Sequence, residues 1–261
     1  MIIGAAVCPG APFLLPGAAD SIAAGMRTLA TACTAAINRL PPSDSIVLLS
    51  PRWQGAGEPS VGPSRWLPAD SAIELSSVRR SDLLIPALTL PSGSPSPGPP
   101  LSSPLPPGAV ITDPAVGTMV GAVLLHLASC RPPVTIVEVG TDPAAVAVLL
   151  DGTTQSDERV ALLVIADGSA CHGDQAPGKR DDRAAGFDAA VAAALVDGSP
   201  GQLASACADR SLARSLLATV GPLAVLARLT QSRAPDAAEL LYSAAPFGVG
   251  YWVASWRWTI R

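Results

Sequence analysis

The chain has 261 residues, of which 49% are hydrophobic and 15% are charged, and its formal net charge is −4. This apolar content is sufficient for a well-buried core and excludes a globally disordered chain. The acidic balance, with Lys179 as the single lysine, argues against a nucleic-acid partner, because such a surface needs clustered basic residues.

The first fifty residues predict a β-α-β unit. The apolar run Ile2–Val7 predicts a strand that ends in the turn CPGAP. Apolar residues at three- and four-residue steps in Gly17–Leu40 predict an amphipathic helix. Ser45–Ser50 predicts a second, buried strand. Two strands joined through a helix imply a parallel pair with a right-handed crossover.

The middle of the chain has weak periodicity. The stretch 52–72 predicts a long loop, 72–75 a short strand, and 82–90 either a strand or a helix. Pro91–Gly108 holds eight prolines mixed with serine and glycine. This composition predicts an extended, solvated and mobile excursion from a single domain that spans residues 1–261.

The β/α alternation returns after the proline-rich stretch. Helices are predicted over 113–129, 142–150, 181–196, 201–208 and 211–230, the last broken at Gly221-Pro222. Strands are predicted at Val134–Val139 and Val160–Ala166, with a closing pair at Glu239–Ser243 and Val249–Trp256. The predicted fold class is therefore α/β, with a central, mostly parallel sheet flanked by helices and a C-terminal strand pair.

The strand Val160–Ala166 predicts the position of a site, because ligands of open α/β sheets bind at the carboxyl ends of the strands. Asp167, Ser169, Cys171 and His172 follow this strand directly. His172 is a candidate general acid or base, and the alternative is a solvated loop histidine. No GxGxxG, GxxxxGK[ST] or GxSxG motif is present, so neither a dinucleotide, a P-loop nucleotide nor a hydrolase serine is supported.

The five cysteines are odd in number and lack CxxC spacing, which argues against a disulfide framework or a zinc ribbon. Reduced thiols in a cytoplasmic protein are expected instead. Cys8 and Cys171 each follow a predicted parallel strand, so a cluster with His172 is one hypothesis, with a nucleophilic cysteine and a histidine base. The other three cysteines and His126 lie in helical contexts that favour structural roles.

No signal peptide or membrane span is predicted. The amino terminus lacks a basic region and is interrupted by prolines. No apolar run reaches the roughly 18–20 residues that cross a bilayer. The aromatic end Tyr251–Trp258 suits either an interface of a homo-oligomer or packing in the core.

Four segments carry a family resemblance: AAVCPGAPFLLP, SIVLLSPRW, VIADGSACH and AELLYSAAPFGVGYWVASW. In order and surroundings they resemble class III extradiol ring-cleavage dioxygenases, and more closely a subunit-B-like bacterial branch of that family. The resemblance covers nearly the whole chain except Pro91–Gly108. It implies an Fe(II) held by two histidines and one glutamate, with a further histidine as acid or base.

This chain departs from that pattern at the ligand positions. The first ligand histidine corresponds to Gly10 and the second to Arg52, while Glu239 matches the carboxylate. The acid/base histidine maps to Ala170 or Cys171, next to His172. Glycine has no donor atom, and arginine is a permanent cation without a lone pair to give. The resemblance therefore implies a fold without the Fe(II) cofactor or another bound metal. Arg52 would pair with Glu239, or else point into solvent.

Several functions remain open from the sequence. One is the binding of a small anionic molecule near Arg52, in a pocket shared with Cys8, Gly10, Asp167, Ser169 and Glu239. A second is an enzyme that uses Cys8 or Cys171 with His172. A third is an active dioxygenase in which His126 and His172 converge with a carboxylate. A fourth is a partner-binding protein.

Overall fold

The computed structural model describes residues 1–15, 23–52, 64–67, 72–73, 88–89, 110–111, 114–154 and 157–259. Its strands are β1 (Ile2–Cys8), β2 (Ser45–Pro51), β3 (Arg65–Leu67), β4 (Ala72–Ile73), β5 (Leu88–Thr89), β6 (Val110–Ile111), β7 (Val134–Val139), β8 (Val160–Ile165), β9 (Ala237–Ala244) and β10 (Tyr251–Arg257). Its α-helices are α1 (Ala23–Asn38), α2 (Val116–Leu127), α3 (Pro143–Thr154), α4 (Ala184–Val196), α5 (Pro200–Ala206), α6 (Arg210–Ser215) and α7 (Gly221–Leu229).

Seven of the strands form one mixed sheet in the order β3-β7-β2-β8-β1-β10-β9. The four central strands are parallel, with β8 between β1 and β2. The C-terminal pair adds antiparallel strands beside β1, and β3 adds an antiparallel strand at the opposite edge. This is the expected α/β class with a mostly parallel sheet. Strands β4, β5 and β6 form a separate three-stranded sheet.

Helices cover both faces of the seven-stranded sheet, which explains why its central strands are apolar throughout. Helices α1 and α2 pack on one face with Cys8, Leu163 and Ile165. The other face carries α3 to α7 and receives Val7, Leu162 and Val164. All six residues of β8 are buried, so the strand from which the sequence predicts the site is the centre of the fold.

The predicted elements are confirmed with shifts of a few residues at their ends. The exceptions are two strands. β3 lies inside the stretch predicted as a loop and pairs with β7 through Trp66 and Val137, and β6 lies where no element is predicted. The helix predicted over 211–230 is two helices, α6 and α7, separated before Gly221. The proline-rich segment 91–108 lies outside the described residues, as does most of 82–90.

The aromatic C-terminal end lies in the core of this chain. Trp252 and Trp256 are each 1% exposed. The indole N–H groups of Trp256 and Trp258 donate to the carbonyl oxygens of Leu195 and Arg233 at 2.8 and 3.0 Å. The alternative in which these side chains form an oligomer interface is therefore wrong, because they are already covered within the chain.

Among the described helices, none combines the length and the hydropathy that crossing a bilayer requires.

Candidate functional site

The carboxyl ends of β1, β2, β7 and β8 meet at one edge of the sheet because these strands are parallel. Gly10 follows β1, Arg52 follows β2, and Asp167 follows β8 after one residue. The strand β10 begins at this edge with Tyr251, since it runs antiparallel to β1. The topology thus brings together the loops that the sequence predicts as the walls of a site.

Asp167 is a buried carboxylate at the centre of this edge. The backbone N–H of Gly10 donates to its Oδ1 at 2.9 Å. Its own backbone N–H donates to Thr219 Oγ1, and its carbonyl oxygen accepts from the Thr219 N–H, both at 2.9 Å. Burial raises the pKa of Asp167 to about 7, and the bonds from Gly10 and Thr219 oppose that rise. Asp167 therefore titrates near neutral pH and joins three loops.

Gly10 lies in a space that admits no side chain. A Cβ there would lie 2.9 Å from Asp167 Oδ2, 3.2 Å from Ile165 Cγ2 and 3.5 Å from the Cα of Gly117. Gly117, in the first turn of α2, is itself close to Pro51 at the end of β2. A side chain at Gly10, which the resemblance matches to a ligand histidine, would thus meet Asp167, Ile165 and the first turn of α2.

The residues present do not fit an Fe(II) held in the manner of that family. Gly10 supplies no donor atom, and Arg52 supplies a cation in place of an imidazole. Across the ranges that the structure describes, no three His, Cys, Asp or Glu side chains are grouped so that they could hold a metal ion.

Glu239 lies far from this edge and has a different partner. It is in the middle of β9, the outermost strand, which is four strand spacings from β2, or roughly 19 Å. Its carboxylate is 3.1 Å from Arg39 Nε at the surface. The predicted pairing of Arg52 with Glu239 is therefore wrong, and so is the placement of Glu239 in the pocket.

The loop after β8 is held by Asp188 of α4. One carboxylate oxygen of Asp188 accepts from the Ser169 N–H at 2.9 Å, and the other is 2.6 Å from His172 Nε2. Burial raises the pKa of Asp188, while its bonds to Ser169 and His172 act in the opposite direction. A Cβ at Gly250 would overlap Asp188 Oδ2. His172 is thus an anchored loop residue rather than a freely solvated one.

The predicted cluster of Cys8, Cys171 and His172 does not form. Cys8 packs on the face covered by α1, where its thiol is hydrogen-bonded to that of Cys33. Cys171 packs on the opposite face, and its Sγ lies 3.9 Å from the Ser215 carbonyl oxygen. Burial raises the pKa of the Cys171 thiol. For the Cys8 thiol, the hydrogen bond to Cys33 and burial raise the pKa. Neither thiol has the thiolate character that nucleophilic catalysis needs.

His126 and His172 do not converge either. His126 is exposed in the last turn of α2. The first turn of that helix packs at the carboxyl edge, against Pro51, so a rise of about 1.5 Å per residue takes His126 roughly 15 Å away from it. The placement of both histidines in one metal site is therefore wrong.

The candidate binding site is a cleft beside the ends of β2 and β7, on the face covered by α6 and α7. We call it the arginine cleft, after Arg52, Arg210 and Arg214, which line it. The cleft encloses about 110 Å³. The residues that complete its described lining include Pro51, Val139, Thr141, Cys207, Ala213, Ala218, Thr219, Val220 and Gly221.

The described residues that line the arginine cleft carry charge of one sign. Its described lining contains three arginines and no aspartate or glutamate, although acidic residues outnumber basic ones by 21 to 17 in the whole chain. Arg52 is half-buried, and its backbone N–H donates to the Val139 carbonyl oxygen at 3.0 Å. Arg210 and Arg214 are exposed and stand four residues apart on α6. The cleft is therefore suited to an anion.

Sequence reasoning identified Arg52 but missed Arg210 and Arg214. Their signal was present in DRSLARS, where Asp209 caps a helix by accepting from the Leu212 N–H at 2.8 Å. Two arginines at this spacing share one helix face. The site residue Asp167 meets the cleft only through Thr219, while Ser169 and His172 belong to the loop that Asp188 holds.

No protein-family model and no curated protein matches the chain. Among solved structures, the chain is similar to the crystal structure of the uncharacterized protein JW3007 from Escherichia coli K12. The TM-score is 0.55 at 16% sequence identity, over 97% of this chain and 99% of that one. At this identity the likeness shows a shared α/β fold and nothing about what either protein binds.

Proposed function

We propose that this protein has an extradiol-dioxygenase-like fold, has lost the Fe(II) site and ring cleavage, and binds a small anionic molecule in the arginine cleft. The observation that carries the proposal is the pair of exposed arginines, Arg210 and Arg214, that lines the cleft together with Arg52. Guanidinium groups bind carboxylates and phosphates through paired N–H donors, and such charge-assisted bonds are stronger than neutral ones.

The loss of the metal site is supported by chemistry and by space. Gly10 and Arg52 replace the two ligand histidines that the resemblance implies. The first turn of α2 lies within 3.5 Å of where a side chain at position 10 would begin. A histidine restored at Gly10 would need Asp167 and Ile165 to move before it could reach a metal.

The arginine cleft also has apolar lining residues beside its charged ones. Val139, Ala218 and Val220 provide an apolar wall for the organic part of a ligand. Such a combination of an apolar surface with a few placed polar groups is typical of small-molecule sites.

The proposal also includes the cellular compartment of the protein. All five cysteines are free in the structure, and free thiols are typical of a reducing compartment. We therefore infer a cytoplasmic protein.

A thermal-shift screen with carboxylates and phosphates at constant ionic strength tests the binding function. We expect at least one anion to raise the melting temperature, because a ligand that binds only the folded state stabilises it. The shift should be lost in R210A and R214A but kept in R27A. Arg27 is a matched control, since it is an exposed helical arginine on the opposite face of the sheet. The absence of any shift, or an equal loss in R27A, would contradict the proposal.

A further inference from the structure

We infer that this chain forms a twofold-symmetric homodimer, in which the outer edge of β9 pairs with β9 of a second copy and the two α4 helices pack beside that joint. The inference does not depend on the arginine cleft, which lies at the ends of β2 and β7, on the other side of β8. Three observations carry it: an open sheet edge, an apolar helix face beside that edge, and the alignment of the two elements.

The strand β9 forms an open edge of the sheet. It has eight residues and pairs with β10 on one side, and none of the described strands pairs with its other side. Native proteins protect such edges with charged residues, prolines or a covering segment. β9 has no proline and one charged residue, Glu239, whose carboxylate is 3.1 Å from Arg39 Nε. The edge therefore presents backbone N–H and C=O groups that a further strand can bind.

The helix α4 has an apolar outer face next to this edge. Its sequence, AAGFDAAVAAALV, contains one charged residue, Asp188, whose carboxylate turns inward to Ser169 and His172. The exposed residues of α4 are Ala185, Gly186, Ala189, Ala190, Ala193 and Val196. A helix that is apolar on all sides is typical of a fully covered position. The open face of α4 is therefore expected to contact a partner.

The elements β9 and α4 are aligned along their length. Trp256, which lies opposite Ala238 of β9, donates its indole N–H to the Leu195 carbonyl oxygen at 2.8 Å. Near the other end of α4, Asp188 lies against Gly250, which precedes the residue of β10 that pairs with the end of β9. The helix therefore runs antiparallel to β9, and the midpoints of the two elements lie at about the same height of the sheet.

One twofold axis through these midpoints suits both elements. It passes close to Leu241, where a bulge divides β9, so the half-strand before the bulge pairs with the half-strand after it in the second copy. Paired strands lie about 4.8 Å apart. Because α4 packs on both β9 and β10, its axis lies over the boundary between them, which puts the two α4 helices about 10 Å apart. Helices pack at about 8–10 Å, and alanine and glycine side chains are small enough for that distance.

The size and charge of this surface fit a second copy of the chain. Eight residues give an edge about 27 Å long, and a sheet with a helix layer on each face is about 30 Å high. Such a surface buries roughly 800 Å² per copy, as stable dimers do. In a twofold interface each patch meets the same patch of the other copy, so an unpaired charge would be repelled. The exposed residues of α4 carry no charge, and Glu239 is paired with Arg39.

Analytical ultracentrifugation of the full chain at about 50 µM tests the dimer, since interfaces of this size have dissociation constants from micromolar to picomolar. We expect a mass of twice the 26.3 kDa of one chain. V196E should raise the dissociation constant at least about tenfold, because it places a charge in the apolar contact between the helices. V148E is the matched control, since Val148 is 64% exposed on α3, which packs on α7, whereas Val196 is 48% exposed on α4. V148E should stay within about twofold of the unchanged protein.

Amide hydrogen exchange tests the strand pairing itself. We expect alternate amides of Ala237–Ala244 to be protected in the unchanged protein and to exchange fast in V196E, because pairing occupies the N–H groups of the outer edge. A monomer at about 50 µM overturns the inference, as does a dimer that V196E leaves intact or that V148E weakens equally. A dimer whose β9 amides exchange as fast as those of V196E also overturns it. Circular dichroism verifies folding of the variants, which is expected because both valines are exposed.

Discussion

Replacing Asp167 with asparagine tests the cost of the buried charge at the sheet edge. Asp167 is 8% exposed, and burial raises its pKa from 3.8 to about 7. The folded protein therefore holds this proton to higher pH than the unfolded chain does. Its contribution to stability is complete below about pH 4 and is lost as the pH rises through about 7. Above that pH the shift corresponds to roughly 4 kcal/mol.

We expect D167N to be more stable than the unchanged protein by about 1–3 kcal/mol at pH 8.5, because asparagine carries no charge. The gain is smaller than the full shift, since the new NH₂ group needs an acceptor while the amide oxygen keeps the Gly10 bond. Urea denaturation at about pH 5 and about pH 8.5 measures the difference.

The matched control is D182N, which makes the same change at a side chain that is 91% exposed. Its stability should follow that of the unchanged protein at both pH values. Should D167N lose stability between the two pH values as steeply as the unchanged protein, the assignment of the charge cost to Asp167 would be refuted.

The remaining predictions concern packing, the anchored loop and the thiols. G10A should destabilise the fold by about 1–3 kcal/mol, because the added methyl group crowds Asp167. G186A, with open space around it in α4, should stabilise the fold by about 0.5–1 kcal/mol. Urea denaturation that ranks the two variants the other way would contradict the packing described for Gly10. D188A should cost about 2–4 kcal/mol and speed proteolysis of the loop after β8, since the buried Ser169 N–H loses its acceptor; an unchanged cleavage rate would show that the loop is held elsewhere. Iodoacetamide should label Cys130 before the four buried cysteines in the native protein, and C130S should remove the fast phase of labelling. Fast labelling of Cys171 would instead support the hypothesis that Cys171 is a reactive thiol.

The parallel core was predictable because its strands are buried on both faces. Val160–Ile165 is apolar throughout, and no other element suits so short a run between turn residues. β3 was missed because Arg65–Leu67 has three residues between glycine- and proline-rich stretches, and such a strand exists only through its pairing with β7.

The site was less predictable, because it depends on strand order and on side-chain direction. Cys8 is the last residue of one parallel strand and Cys171 follows another, yet they pack on opposite faces of the sheet. Glu239 matched the family pattern in chain order, but only the sheet order shows that it lies at the outer edge. The spacing of Arg210 and Arg214 was visible, while the cleft they line also takes residues from the start of α7 and from the ends of β2 and β7, which only the fold brings together.

The exposure of Arg210 and Arg214 has a thermodynamic consequence. Both side chains extend from a six-residue helix into solvent, where they sample many rotamers. A bound anion would fix them, at a cost of about 0.5–1.5 kcal/mol for each side chain. Thr219, by contrast, is already fixed to the central strand through its two bonds to Asp167. Ligand capture in the arginine cleft is therefore expected to be driven by enthalpy and opposed by entropy.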